Sequence, residues 1–222
     1  VVRREAGRSM PDDTKGKTRS ESDTLGAMAV PADALFGAQT ARAVENFFAS
    51  GWTMPAAFLG ALARIKAAMA RAHGKHGLLP ANVAEAIASA ADEIVEGRHR
   101  EHFPVDVFQT GSGTSTNMNM NEVLAHLANL RLGGKPALHA PVHPNDHVNL
   151  GQSSNDAIPT ALRIAAALAW RDAVEPALET VVAQLRRLAL AHERTVTLAR
   201  THLVDAVPTT YGRVFDGWAA RF

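Results

Sequence analysis

Thr110-Gly111-Ser112-Gly113-Thr114-Ser115-Thr116-Asn117-Met118-Asn119 is a polar, glycine-marked block that runs straight into a helical segment over 115–131, before Gly133-Gly134. Gly111 and Gly113 let the backbone approach a ligand, and the Thr and Ser side chains around them offer hydroxyls. Free N–H groups and the dipole at the start of the following helix favour an anion there. The GK[ST] ending of a nucleotide P-loop is missing, so that reading is rejected. A glycine turn followed by serine capping explains part of the block. It does not explain Asn117, Asn119 and Asn121, which lie beyond the cap.

Outward from this block the same arrangement recurs: short polar side chains set between alanine-rich helices. His143-Pro144-Asn145-Asp146-His147-Val148-Asn149 lies in a loop-rich stretch over 134–158. Gln152-Ser153-Ser154-Asn155-Asp156 comes just before a helical pattern that runs from Pro159 to about His192. Pro176 should kink or divide that run. Its apolar residues cover most of the circumference around Ile164–Trp170, the pattern of a helix buried in a bundle. Upstream, Phe58, Leu62, Ile65 and Met69 predict a helix over 55–73. A further helix is predicted over 82–96, with Asn82 as N-cap and Gly97 as stop. The one strand signal is Ala27–Val30.

The pattern predicts a chain of helices with weak strand signals. A mostly helical domain covers 23–145, a helical-bundle segment covers 146–222, and residues 1–22 read as a disordered polar tail. The last residues, Gly212 to Phe222, begin a helical pattern and stop without a closing glycine, so the chain is expected to be part of something longer.

Composition narrows the function. Net charge is +1 over 222 residues, which implies no bulk pull toward nucleic acid or membrane. No apolar run reaches the ~20 residues of a membrane span. The sequence has no cysteine, which removes disulfides, thiol catalysis and cysteine metal sites and fits a cytoplasmic location. His143 and His147 are four apart, a helical metal-ligand spacing, but Pro144 biases His143 away from helix and no third ligand follows. The expectation is therefore a proline-shaped turn, with no metal and no cofactor. A Ser153/His202/Asp205 hydrolase triad lacks a G-x-S-x-G turn and is set aside.

A fourth block, Arg200-Thr201-His202-Leu203-Val204-Asp205-Ala206, completes an ordered set. With it go Val30-Pro31-Ala32-Asp33, Gly37-Ala38-Gln39-Thr40, Glu45-Asn46-Phe47, Phe103-Pro104-Val105-Asp106 and Asn121-Glu122-Val123. From about Asp23 to Trp218 the chain resembles the class II fumarase / aspartase superfamily. The resemblance implies an all-α homotetramer with a central bundle of long helices, of which 146–222 would be the truncated first part. It also implies active sites shared between subunits. The implied reaction is reversible addition or elimination across a double bond beside a carboxylate, through an aci-carboxylate intermediate. It implies that Ser112 and Thr114 contact substrate, that Ser153, Ser154 and Asn155 bind its carboxylates from another subunit, and that Thr201 binds substrate from a further chain segment. His202 would serve in acid–base or water-positioning work. His143, Asn145 and Asp146 match a secondary dicarboxylate site.

Phe108-Gln109-Thr110-Gly111-Ser112-Gly113-Thr114 is closer to fumarases than to aspartases, so fumarate hydration to L-malate is favoured over aspartate deamination. Leu150, Ala140, Val204, Tyr211 and Arg213 depart from the family's residues. The family's Gly-Ser-Ser loop, which supplies the catalytic base, is not among these residues. This segment alone is therefore expected to be inactive, and a non-catalytic dicarboxylate-binding remnant is the remaining alternative.

Overall fold

A computed structural model describes residues 17–134 and 139–222. The elements are β1 (Thr18–Asp23), β2 (Gly26–Pro31), α1 (Ala38–Asn46), α2 (Ala56–Lys75), α3 (Ala81–Val95), α4 (Thr114–Arg131), α5 (Ser154–Ala169), α6 (Glu175–Ala191), β3 (Val196–Thr201), β4 (Val204–Thr210) and α7 (Tyr211–Ala219). Two compact units divide between Ala165 and Ala166.

In the first unit, α2, α3 and α4 enclose the core. Leu62, Ile87, Met120, Val123 and Leu124 are fully buried there, with Val142 and Ala161 packed against them. Alanine sets the spacing. A Cβ on Gly74 of α2 would lie 2.7 Å from Ala84 Cβ of α3, so these helices approach as closely as their side chains permit. The buried face of α2 is rotated from the predicted stripe. It runs through Leu59, Leu62, Lys66, Ala70 and His73, while Ile65 and Met69 are half-buried. Small alanines, rather than the largest apolar residues, face α3.

The all-α expectation needs correction: the fold is mainly helical but carries two antiparallel hairpins, β1–β2 and β3–β4. Val30 of β2 is buried with Ala34 and Ala41. The Arg19 guanidinium donates to the carbonyls of Pro31, Ala34 and Phe36 and pairs with the buried Glu21 carboxylate at 2.6 Å. These contacts tie the hairpin to the approach to α1. Residues 18–22, drawn as tail, are thus strand β1. Residues 1–16 of that tail lie outside the described residues. The expected strand at Ala27–Val30 is inside β2.

Helix α3 follows Pro80 without a side-chain cap, so Asn82 is not its N-cap. Gly97, at φ +85°, follows its end as predicted. The long run after Pro159 begins earlier, at Ser154. It is divided by a π-helical turn at Trp170–Val174, and Pro176 falls in the first turn of α6, where its missing N–H costs nothing. The first unit extends beyond residue 145 because Val148, Ala157 and Ala161 are buried in its core. In the second unit α6 has no buried residue, and Trp170 is 54% exposed.

His126 gives the first unit a pH dependence. Burial pushes its imidazole down to about 4, helped by the nearby Arg19, His102 and His139. The unfolded chain takes up the proton first, so stability contributed by neutral His126 is present above about 6.5 and is lost as pH falls toward 4. The urea midpoint is expected to drop between pH 6.5 and 4.5, and His126→Gln should flatten part of that drop. An identical pH profile in the variant would show that other groups set it.

Candidate functional site

The polar blocks converge at the starts of α4 and α5. Gly113, at φ +68°, is the N-cap of α4, and a Cβ there would meet Ile158 of α5 at 3.0 Å. Only glycine combines that backbone angle with so close an approach. With no side chain at the cap, Gln109 closes the first turn: its Oε1 accepts from Thr116 N at 2.8 Å and its Nε2 donates to Thr116 Oγ1 at 2.7 Å. Ser112 and Thr114, both exposed, share a hydroxyl hydrogen bond of 2.8 Å at the opening. Asp106 secures the loop beneath them. Burial alone would raise its carboxyl, but hydrogen bonds from Phe108, Ser50 and Gly51 hold it down at about 2.

Ser153 caps α5, its Oγ accepting from Asn155 N at 3.2 Å. Ser154 is half-buried, and its Oγ accepts from Asn117 Nδ2 at 3.3 Å. Asn155 is exposed beside it. Ser112, Thr114 and Ser154 therefore sit around one junction, built by the Gly113–Ile158 contact and the Asn117–Ser154 bond. The asparagines of α4 are buried and are not caps: Asn117 reaches Asn149 and Ser154, and Asn119 donates to His102 O at 2.9 Å.

His143, Asn145 and Asp146 divide their roles. His143 Nδ1 accepts from the backbone N–H of Asn145 and Asp146, and His147 Nδ1 accepts from His143 N at 2.7 Å. Both imidazoles thus close the Pro144–Val148 turn. Asn145 lines a cleft of about 390 Å³ with Ser115, Gln39, Arg42 and Asn46. Thr201 and His202 belong to the second unit, described by itself. They stand at the tip of the β3–β4 hairpin, where Thr201 pairs with Val204 and the two turn residues, His202 and Leu203, have φ of 50° and 63°. Both residues are exposed, and Leu203 is 98% so. The angles are those of a type I′ turn, a conformation glycine and asparagine usually occupy.

Two features escaped the sequence. Lys66 is fully buried on α2, and its Nζ donates to Asn149 Oδ1 at 3.0 Å. Burial pushes its amine down to about 7. A charged residue four positions after Leu62, on the apolar face, was the available signal. Glu122, buried on α4, accepts from Gly37, Gln39 and Thr40 at the start of α1. Its position within Asn121-Glu122-Val123 gave no hint of that partner.

His99, Glu101 and His102 bring ligand-type atoms within 4.8 Å of one another. They do not suit a cation. His102 Nδ1 accepts from Leu35 N, so its proton sits on Nε2, which faces Glu101 Oε1 at 3.4 Å. His99 Nε2 meets Glu93 Oε2 at 2.6 Å. The cluster satisfies itself by hydrogen bonding. Among the described residues no helix is long and apolar enough to cross a membrane.

Comparison with known proteins places this geometry. The Lyase family model matches residues 26–222. The fumarate hydratase class II of Xylella fastidiosa strain Temecula1 is 49% identical over 203 residues, covering 91% of this chain and 42% of that protein. Its counterpart in Halobacterium salinarum is 52% identical over 200 residues, covering 90% and 42%. Among solved structures, a class II fumarase from Schistosoma mansoni superposes with a TM-score of 0.85 at 39% identity, covering 92% of this chain and 43% of that one. A fumarate lyase:delta crystallin structure from Brucella melitensis gives 0.86 at 43% identity, covering 93% and 48%. The chain spans less than half the length of these relatives. It belongs to the Lyase family, within the fumarase/aspartase superfamily.

Proposed function

We propose that this chain forms part of a fumarate hydratase that interconverts fumarate and L-malate. The observation that carries the reading is the junction of Ser112, Thr114 and Ser154, where the Gly113–Ile158 contact and the Asn117–Ser154 bond bring the starts of α4 and α5 together. Relatives about half identical to this chain bear the name fumarate hydratase class II.

Starting from L-malate, a base takes the C3 proton, and the electron pair moves into the neighbouring carboxylate as an aci-carboxylate. The C2–O bond then breaks, and an acid protonates the departing hydroxide to give water. The charge on the carboxylate grows during the first step, so donors aimed at it stabilise the transition state more than the ground state. Ser153, Ser154 and Asn155 are the donors assigned to that carboxylate, and Ser112 and Thr114 contact substrate. Thr201 and His202 join from a further segment, with His202 in the acid–base network. No base is assigned among these residues. His143, Asn145 and Asp146 form the secondary dicarboxylate site, where Asn145 lines the cleft with Arg42 and Gln39.

The assembly is a cytoplasmic homotetramer. The exposed Leu162 of α5 and Trp170 are surface of the kind that subunit packing covers.

The test is turnover by the protein expressed from its complete gene. Formation of fumarate from L-malate, read by absorbance, is the expected result. Ammonia release from L-aspartate without malate turnover would replace this reading with an ammonia-lyase. Binding of L-malate without either activity would leave a dicarboxylate-binding homologue.

A further inference from the structure

The buried Lys66 is left unused by the reaction above, and this inference rests on that dicarboxylate reading. Lys66 is 0% exposed, yet among the described residues its ammonium meets no carboxylate. Its recorded partner is the neutral Asn149 side chain. A buried cation with so weak a partner is costly to keep unless it does something for its neighbours.

What it does follows from donor and acceptor types. In its charged form lysine only donates. It therefore holds the oxygen of Asn149 toward itself, at 3.0 Å, while Asn149 Nδ2 donates to Gln152 O at 3.1 Å. The same Oδ1 faces Asn117, which must answer with its Nδ2, at 3.1 Å. Asn117 Nδ2 also reaches Ser154 Oγ at 3.3 Å, so that oxygen accepts. The hydroxyl hydrogen of Ser154 is left over as a donor. Asn117 Oδ1 is meanwhile buried without a partner, an arrangement that a free amide would relieve by flipping. Turned over, Asn117 would present oxygen to Ser154 and consume the hydroxyl hydrogen.

We infer that Lys66 is a positioning residue of the dicarboxylate site: through Asn149 and Asn117 it sets the direction of the hydrogen-bond chain that leaves the Ser154 hydroxyl free to donate to a substrate carboxylate. It touches no substrate, and it acts three hydrogen bonds away.

The experiment is a double-mutant cycle in the protein from the complete gene, read by KM and kcat for L-malate, calorimetric Kd for L-malate, and melting temperature. Lys66→Met is close in size and removes the buried charge, so the fold should survive. It is expected to raise KM and Kd about tenfold, as expected for a lost bond to a charged ligand. Ser154→Ala should do the same in the wild-type background and add little on top of Lys66→Met, because the donor is already lost. A purely structural Lys66 would lower the melting temperature without that non-additivity. Wild-type KM in Lys66→Met, or two effects that simply multiply, would overturn the inference. Should Lys66→Met fail to fold, Asn149→Leu breaks the same chain and is judged by the same two criteria. A wild-type protein that binds L-malate without turning it over defeats the hydratase reading alone, and the cycle is then read from Kd. One that neither binds nor converts it defeats both.

Discussion

Glu122→Ala is expected to destabilise the first unit by about 3 kcal/mol or more, because it strands several buried donors at once. Helix α1 begins after Gly37, which has no side chain to cap it. Glu122 supplies the cap from α4. Its Oε2 accepts from Gly37 N at 2.9 Å, Thr40 N at 3.1 Å and Thr40 Oγ1 at 2.6 Å, and its Oε1 accepts from Gln39 N at 3.0 Å. A carboxylate is suited to this place, since it accepts only and meets the positive end of the helix dipole. Burial pushes its pKa up, against the pull of the same hydrogen bonds. Glycine at 37 is part of the design: a Cβ there would lie 2.5 Å from Glu21 Oε2 and 2.9 Å from Glu122 Oε1. Glu122→Gln keeps the volume but turns two of the four lone-pair positions into N–H, so its loss should be smaller than that of alanine. Urea unfolding followed by circular dichroism measures both. An alanine variant within about 0.5 kcal/mol of wild type, the range of ordinary surface changes, would show that water replaces the carboxylate.

Helix α2 was legible because its apolar residues recur with the helical period, and α3 and α4 because glycines mark where they stop. The hairpins were not, for two different reasons. In β1 the buried side chain is Glu21, neutralised by Arg19, so the strand Thr18–Asp23 shows no apolar alternation. In β3 and β4 nearly every residue is exposed or half-buried, and without one buried face there is no period of two to read. The hydroxyl blocks were legible because their residues are neighbours in sequence. Lys66 and Asn149, 83 residues apart, become partners only once the chain has folded. His143 Nδ1 closes its own turn by accepting from the backbone of Asn145 and Asp146, and Asn145 lines the cleft beside it.

His202→Asn in the protein from the complete gene is expected to lower kcat about 100- to 1,000-fold, the usual worth of a positioned acid or base. KM should stay within about threefold, because the proposed role of the imidazole lies in acid–base work rather than in holding the bound carboxylates. The hairpin makes asparagine an informative replacement. His202 holds φ of 50° beside Leu203 at 63°, and a side chain unsuited to that region would distort the tip and confuse the result. Asparagine tolerates the left-handed region and is a preferred residue of type I′ turns. The Arg200–Asp205 pair across the hairpin, at 3.1 Å, lies outside the turn and is untouched. The backbone should therefore survive and the melting temperature should not fall. His202 also spends nothing on the fold: it is exposed and has no recorded hydrogen-bond partner among the described residues. An exposed histidine held in an unfavourable backbone region is poorly explained by stability, and the proposed acid–base role would account for it. Steady-state turnover of L-malate with a melting curve on the same sample decides the matter. An unchanged kcat would remove His202 from the chemistry, and a lower kcat with a lower melting temperature would assign it to holding the turn.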